Sequence, residues 1–362
     1  MKITILIAII LGATAFVSAK TTSLTAEVMV KGYDVIWSMA QVDADKILFL
    51  TRKGQFNLLN INSKKVDLIK SDLKIFHQGQ GGLLDLEVHP DFKKNKKVYF
   101  TYSCEKLQSQ NTTCLGTGIL DISKFALTDI KEIFSVEPAV DSNLHFGSRL
   151  AWDSKHNLYM TTGDRYLKKD SAQSLETHLG NILRLDENGK AAIGNPFIDN
   201  KIAKPEIWSL GHRNMQGLFY DLKTESLWEH EHGAKGGDEI NKIQAGKNYG
   251  WPIITHGVDY SGEKIGIGKE KAGLEQPLHT YVPSIAPSGL IVYSGKKFKQ
   301  WQGHLFIGAL AGEHINHVEI QSPVKETRLF TDLGERVRDI IEFSTGDIYF
   351  STDSGKIFKF NF

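Results

Sequence analysis

Only two of the 362 residues are cysteine, and neither sign of charge is in excess: 43 lysines and arginines face 42 aspartates and glutamates. The missing basic surplus argues against a nucleic-acid binder, because such domains gather Lys and Arg on one face to neutralise phosphates. Long amphipathic helical periods are scarce, which argues against a helical bundle. No Pro- or Ser-rich linker divides the chain, which disfavours two separate domains. Beyond the N-terminus no apolar run approaches the roughly eighteen residues of a membrane span. What is present, 41% apolar and 23% charged residues, is the composition of a globular protein.

Residues 1–19, MKITILIAIILGATAFVSA, place Lys2 before an apolar run from Ile3 to Leu11 and end in Val17-Ser18-Ala19. This is the pattern of a cleavable secretory signal, with an uncleaved anchor as the alternative. Cleavage after Ala19 removes one lysine and leaves 42 charges of each sign. Residues 20–362 are then expected to be a single exported domain, periplasmic or secreted. The two cysteines suit that compartment. Cys104 and Cys114 flank the polar stretch EKLQSQNTT just after an apparent strand, where a local disulfide would close a hairpin. A buried free pair is the alternative, and two lone thiols make a poor zinc site. Asn111-Thr112-Thr113 matches a glycosylation sequon by pattern.

Short runs rich in Val, Ile, Tyr and Phe, bounded by Gly, Asp and Asn, recur from end to end, so the chain reads as all-β. Six of them share one form, a turn leading into a strand with a bulky apolar centre followed by Thr, Ser, Gly or Glu: DADKILFLTRKG at 43–54, KNKKVYFTYS at 94–103, DSKHNLYMTTGD at 153–164, KTESLWEHEHG at 223–233, WQGHLFIGAL at 301–310 and TGDIYFSTDSG at 345–355. Spacings of roughly forty to eighty residues are those of propeller blades with loop insertions. The expected fold is a six-bladed β-propeller of four-stranded antiparallel blades, with the terminal GKIFKFNF pairing near the N-terminus to close the ring. The insertion at 257–277 interrupts the even spacing, and long loops of this kind often carry function.

Polar clusters flank the repeated strands. His145, in NLHFGSRLAWD, and Asp164, in the GDR that follows the next strand, make a base and its orienter if the two strands are neighbours; otherwise His145 is a satisfied core histidine. His212, Arg213 and Asn214 lie between glycines, and the last two carry the donors and acceptor that suit a planar carbonyl- or carboxylate-bearing ligand; a solvated turn is the alternative. The segment WEHEHGAKGGDEINKIQAGKNYGWP crowds His230, His232, Asp238 and Glu239 together. Carboxylates and glycine-flanked carbonyls suit Ca²⁺, whereas His230 and His232 at strand spacing suit zinc or copper. Arg336 and Arg338 lie two apart on one strand face, which points to an anionic ligand between them or to a pair of surface salt bridges.

Taken in order, GQGGLLDLEVHPDF at 79–92, LHFGSRLAWD at 144–153, TTGDR at 161–165, THLGNILRLDENG at 177–189, PEIWSLGHRNMQGL at 205–218, EHGAKGGDEIN at 231–241, NYGWP at 248–252, APSGL at 286–290 and RVRDI at 336–340 resemble the soluble aldose sugar dehydrogenases related to soluble quinoprotein glucose dehydrogenase, six-bladed propellers that use pyrroloquinoline quinone (PQQ). The resemblance spans nearly the whole mature chain and favours calcium over a transition metal. It implies that His145 takes the proton of the sugar's C1 hydroxyl while hydride moves from C1 to C5 of the quinone. Asp164 would support the base, and Gln80 would contact the substrate. Arg213 and Asn214 would bind the quinone oxygens, with His232 beside the ring and Arg336 and Arg338 near the cofactor carboxylates. The carbonyls of Gly233 and Ala234 would hold the Ca²⁺ at PQQ, and Glu239, Tyr249 and Asp259 a second, structural calcium. Two positions depart from the pattern: Ala234 stands where many relatives have Pro, and ALAGEH at 309–314 lacks the lysine that the glucose dehydrogenase branch places near a PQQ carboxylate.

The expectation is therefore an exported PQQ- and Ca²⁺-dependent dehydrogenase that oxidises aldoses and passes electrons to an external acceptor, as a monomer or homodimer. A non-catalytic ligand-binding propeller and a calcium-dependent lactonase are the competing readings. The full polar set speaks against the first, and the lack of an evident ring of acidic ligands from several blades speaks against the second.

Overall fold

The computed structural model describes residues 24–107 and 109–361, and the signal segment read over 1–19 lies outside them. A first strand, β1 (Thr25–Val30), stands apart from those that follow it. The first blade runs β2 (Ile36–Asp43), β3 (Lys46–Thr51), β4 (Phe56–Asn60) and β5 (Val66–Ile69). The second runs β6 (Leu83–Val88), β7 (Lys97–Glu105), β8 (Asn111–Asp121) and β9 (Ala126–Ser135), and the third β10 (Leu150–Trp152), β11 (Leu158–Thr162), β12 (Asn181–Leu185) and β13 (Ile207–Leu210). The fourth has β14 (Met215–Asp221), β15 (Ser226–Glu231), β16 (Asp238–Ile243) and β17 (His279–Tyr281), and the fifth β18 (Pro287–Val292), β19 (Leu305–Ala309), β20 (His314–Glu319) and β21 (Lys325–Leu329). The last consists of β22 (Val337–Glu342), β23 (Ile348–Thr352) and β24 (Ile357–Asn361), completed by β1 pairing antiparallel with β24. The expected six-bladed ring, closed by the terminal strand, is what the chain forms.

All six repeated segments become the second strand of a blade, β3, β7, β11, β15, β19 and β23. Each of these strands is covered on both faces. In β3, Leu48 and Leu50 pack in one cluster with Leu84 and Phe100, while the alternate residues Ile47 and Phe49 pack in another with Phe343 and Tyr349. Covering both faces turns the usual alternation into a continuous apolar run, and each such side chain contributes roughly 1.5–3 kcal/mol of burial. The 257–277 insertion joins β16 to β17 on the outer half of its blade.

The six first strands line the central channel, each beside the next: β2, β6, β10, β14, β18, β22 and back to β2. Arg149, 4% exposed, crosses it. Its guanidinium donates to Asp85 on β6 (2.9 Å), Asp339 on β22 (2.9 Å), and the carbonyls of Gln216 (2.8 Å) and Arg338 (3.0 Å), and lies 4.3 Å from the Trp37 ring centre. This cluster stands between two cavities of about 250 and 260 Å³.

The Cys104–Cys114 disulfide forms as expected and closes the β7–β8 hairpin, with Cα atoms 5.9 Å apart. The glycosylation pattern at Asn111 does not survive folding: the side chain is fully buried and its Oδ1 accepts from Arg165 at 2.6 Å, so no glycan can be carried there.

Candidate active site

β10 and β11 are paired, Leu150 opposite Met160, so the segment entering β10 and the segment leaving β11 meet at one end of the blade. That brings His145 Nδ1 to 2.7 Å from Asp164 Oδ1. Gly163 makes the approach possible, because a Cβ there would sit 2.1 Å from the His145 carbonyl oxygen. Asp164 is 1% exposed and fully engaged. Its Oδ1 also accepts from the Tyr166 amide (2.7 Å), its Oδ2 from Trp251 Nε1 (2.8 Å), and its own amide donates to the Arg213 carbonyl (2.9 Å). Gln80 Oε1 accepts from the His145 amide at 2.8 Å. Burial pulls the His145 pKa below its ordinary value of 6.5, with Asp164 opposing and Arg213 and Arg165 assisting. The imidazole is therefore neutral at pH 7, held in one orientation, and able to accept a proton on Nε2.

Beside this pair lies the 260 Å³ cavity, lined by Gln80, Asn214, His232, Ala286, Arg336 and Arg338 among others. Asn214 Oδ1 accepts from Gln216 Nε2 (3.2 Å) and the Gly147 amide (3.3 Å), and no described residue accepts from its Nδ2. Arg213 donates to the carbonyls of His232 (3.1 Å) and Gly233 (2.6 Å), and its Nε has no partner among the described residues. His232 Nε2 lies 2.7 Å from the Pro287 carbonyl, and burial takes its pKa down to about 4. Arg336 and Arg338 are already bridged by a carboxylate of the chain itself, Asp353, at 3.0 Å from Arg336 Nε and at 2.8 and 3.1 Å from Arg338. Burial alone would raise the Asp353 pKa, but the two arginines outweigh it and hold the carboxyl low. The pair thus makes salt bridges within the chain, the alternative its spacing left open, and still lines the cavity.

A second cluster lies against the first. Glu231 and Glu239 are opposite each other on β15 and β16, and Glu229 faces Asn241. A ring nitrogen of His212 and carboxylate oxygens of Glu229 and Glu231 lie within 4.8 Å of one another. Burial first and Glu231 second push the Glu239 pKa up to about 8, and the same causes raise that of Glu229. Glu229 Oε1 and Asn241 Oδ1 are buried without a partner among the described residues. Like charges opposite each other in a sheet repel unless a proton or cation lies between them, and this oxygen-rich set suits a hard divalent ion. Glu239 and Tyr249 line one small cavity with Arg213 and Gly233. The Tyr249 hydroxyl is spent on the Gln244 amide and the Lys242 carbonyl, both at 2.9 Å, which leaves its backbone carbonyl for a ligand. Asp259 lies outside this cavity, on the insertion, where its Oδ1 caps the Ser261 amide at 3.0 Å. Gly233 and Ala234 sit in a tight loop: a Cβ on Gly233 would lie 2.2 Å from the Gly236 carbonyl oxygen. Buried Asp238 holds that loop through the amides of Gly233 (2.9 Å), Ile285 (2.8 Å) and Ala286 (3.0 Å). His230 and His232 share a strand face, but both ring nitrogens of His230 are buried without a partner and no third zinc- or copper-type ligand joins them among the described residues.

Sequence reasoning passed over Trp251, Asp353, Glu231 and Arg165. All four lie within quoted segments, Trp251 in NYGWP, Glu231 in WEHEHG, Asp353 in TGDIYFSTDSG and Arg165 in TTGDR, but no local pattern there assigns them a partner.

A profile of the Glucose / Sorbosone dehydrogenase family matches residues 33–359. The chain is 35% identical over 348 residues to aldose sugar dehydrogenase YliI of Escherichia coli (strain K12), covering 94% of each chain. It is 26% identical over 327 residues to quinoprotein glucose dehydrogenase B of Acinetobacter calcoaceticus, covering 82% of this chain and 66% of that one. A crystal structure of the soluble aldose sugar dehydrogenase of Escherichia coli in its apo form superposes with a TM-score of 0.89 at 34% identity, over 94% of this chain and 99% of that one. The chain belongs to the Glucose / Sorbosone dehydrogenase family, a group of oxidoreductases to which aldose sugar dehydrogenases belong.

Proposed function

We propose that residues 20–362 form a single exported domain that oxidises aldose sugars at C1 to lactones with PQQ and Ca²⁺, passing electrons to an external acceptor. The observation that carries this reading is the buried His145–Asp164 pair at 2.7 Å, opening beside a cavity walled by Asn214, Arg336 and Arg338. His145, neutral and fixed by Asp164, takes the proton of the C1 hydroxyl on Nε2, and Gln80 orients the sugar. Asn214 Nδ2 and Arg213 are the donors that would meet the quinone oxygens, and Arg336 and Arg338 would meet the cofactor carboxylates. Arg336 also donates to the Leu310 carbonyl at 3.0 Å, so an arginine stands against the 309–314 segment that lacks the lysine. Calcium would be held by the carbonyls of Gly233 and Ala234, where Arg213 now donates to the first, and a second ion by Glu239 and Tyr249, with Asp259 a further candidate from the sequence. When bound, PQQ supplies the two-electron acceptor for the hydride leaving C1, and calcium polarises the carbonyl that receives it. Export is supported by the Cys104–Cys114 disulfide, a bond that persists in oxidising compartments.

The test is to add PQQ and Ca²⁺ to the purified protein and follow cofactor absorbance and dye reduction across a panel of aldoses. Saturable PQQ binding with sugar-dependent dye reduction is expected. Absence of both overturns the reading.

A further inference from the structure

Next to Asp164 stands a residue to which the chemistry above assigns nothing. Arg165 is 1% exposed and is the largest of the fully buried side chains among the described residues. Its guanidinium makes no ion pair with a carboxylate among the described residues. Nε donates to the Leu144 carbonyl (3.0 Å), Nη1 to the Asn111 carbonyl (3.1 Å), and Nη2 to Asn111 Oδ1 (2.6 Å) and to the Ser142 carbonyl; its plane lies 3.9 Å from the Phe146 ring centre. Leu144 and Phe146 flank His145 on either side, and Ser142 begins the same loop. Asn111 belongs to the hairpin that Cys104–Cys114 closes in the preceding blade, and from that hairpin Thr113 Oγ1 also donates to the Phe146 carbonyl at 2.8 Å.

The backbone confirms that the arrangement is imposed. His145, Arg165 and Tyr166 all lie at positive φ, 51°, 57° and 63°, a region that residues with a Cβ occupy only when their surroundings over-determine it. The left-handed pair turns Arg165 inward beneath the loop and leaves the Tyr166 ring edge-on to the His145 imidazole, centroids 5.4 Å apart. A buried cation kept only for stability would ordinarily be paired with an anion. The nearest one, Asp164, is committed to His145, Trp251 and the Tyr166 amide. A rigid planar fork spans four acceptor oxygens on two chain segments at once, a spread that a lysine's compact ammonium with three rotatable donors does not match.

We infer that Arg165 is the positioning residue of the base: it clamps the loop carrying His145 to the disulfide-closed hairpin of the neighbouring blade and fixes the imidazole against Asp164. The inference rests on His145 being the base of the dehydrogenase proposed above. A second consequence follows from the charge. The groups facing His145 are Asp164, Arg165, Tyr166, Arg213 and neutral Gln80, and of these Arg165 and Arg213 disfavour the imidazolium. Burial lowers the pKa of Arg165 itself to about 10, which leaves it charged at neutral pH.

Arg165→Lys, Arg165→Met and Asn111→Ala in the full mature chain test the clamp, with two readouts. In the PQQ- and calcium-loaded enzyme, both Arg165 variants should lose about 10- to 100-fold in kcat, with the sugar KM little changed and a smaller kcat loss for Asn111→Ala. In histidine NMR titrations of the unloaded protein, with His145→Ala assigning the signal, His145 should titrate higher in Arg165→Met and at the wild-type position in Arg165→Lys. A role in stability alone would leave the kcat–KM split of the folded enzyme unmoved, while the titration reads whether the Arg165 charge faces His145. Wild-type kcat in the folded Arg165 variants, or an unmoved titration in Arg165→Met, overturns the inference. If the Arg165 variants fail to fold, Asn111→Ala decides it, a lowered kcat supporting the clamp and an unchanged one refuting it. Should the wild-type protein oxidise no aldose, the functional reading falls, and the titration, which needs no substrate, still judges Arg165.

Discussion

His145 Nδ1 and Asp164 Oδ1 stand 2.7 Å apart, although they lie nineteen positions apart in the chain. The contact exists because β10 and β11 pair and deliver both segments to the same end of one blade. A carboxylate on Nδ1 fixes which ring nitrogen carries the proton and leaves Nε2 as the acceptor. His145→Ala should bind PQQ nearly normally and lose turnover by about 10²- to 10⁴-fold. Arg213→Ala should impair both, since Arg213 donates to the Gly233 carbonyl and is the proposed donor to the quinone oxygens. Cofactor titration by absorbance, read beside steady-state dye reduction, separates the two outcomes. Wild-type rates in His145→Ala would show that the base lies elsewhere.

The pH dependence has a definite sign. Burial disfavours the imidazolium of His145 more than Asp164 favours it, so its pKa lies below 6.5. The base is active when neutral, so kcat/KM should be flat through pH 7 and fall only as pH drops through that lowered value. Replacing Asp164 with Asn removes the one group that raises the pKa, and should move the acid limb still lower while reducing the plateau. An acid limb at or above 6.5 in the wild type would contradict the assignment.

How much of this was legible in the chain follows from how each element is packed. The second strands were plain because both faces of each are covered, so Ile47 to Leu50 or Leu305 to Ile307 read as unbroken apolar runs. Short strands such as β10 and β17, three residues each, carry no period at all and exist because their neighbours pair with them. The His145–Asp164 pair was legible through its strand–turn setting and the family's motifs. Arg149 was not, since its partners Asp85 and Asp339 lie 64 and 190 residues away and no local pattern marks a channel-crossing arginine. The spacing of Arg336 and Arg338 left an anionic ligand and salt bridges both open, and the β22–β23 pairing decides for Asp353, just past the end of β23. The place of Asp259 was decided by the course of a long insertion, which local spacing does not encode.

Arg149 is the link between opposite sides of the ring. It joins β6, β14 and β22 by side-chain hydrogen bonds, while Asp339 Oδ2 accepts the Met39 amide of β2 (2.9 Å) and Asp85 Oδ2 the Leu150 amide (2.7 Å). Arg149→Met leaves Asp85 and Asp339 buried without their cation and should cost about 3–5 kcal/mol. Arg149→Met with Asp85→Asn should recover part of that loss, because it removes one of the stranded charges. Chemical denaturation of the two variants checks both statements, and a double variant less stable than the single one would mean that the charges are not what the arginine serves.

Glu239 gives the sharpest test of bound metal. It faces Glu231 across the β15–β16 pair and has Glu229 as a neighbour on the same sheet, an arrangement that is repulsive when all three are ionised. A divalent cation among these oxygens converts the repulsion into binding energy and stabilises the fold by about 2.7 kcal/mol at a hundred times its dissociation constant. Calcium should therefore raise the melting temperature of the wild-type protein, and a chelator should reverse the gain. Glu239→Gln loses one ligand charge and one source of repulsion together, so the variant should melt at or above the chelated wild type and respond weakly to added calcium. Calorimetry of both proteins with calcium and with chelator distinguishes this from a general salt effect, which would raise the two melting temperatures equally. An equal response in the variant would move the ion away from Glu239, leaving the Gly233–Ala234 loop as the place to look.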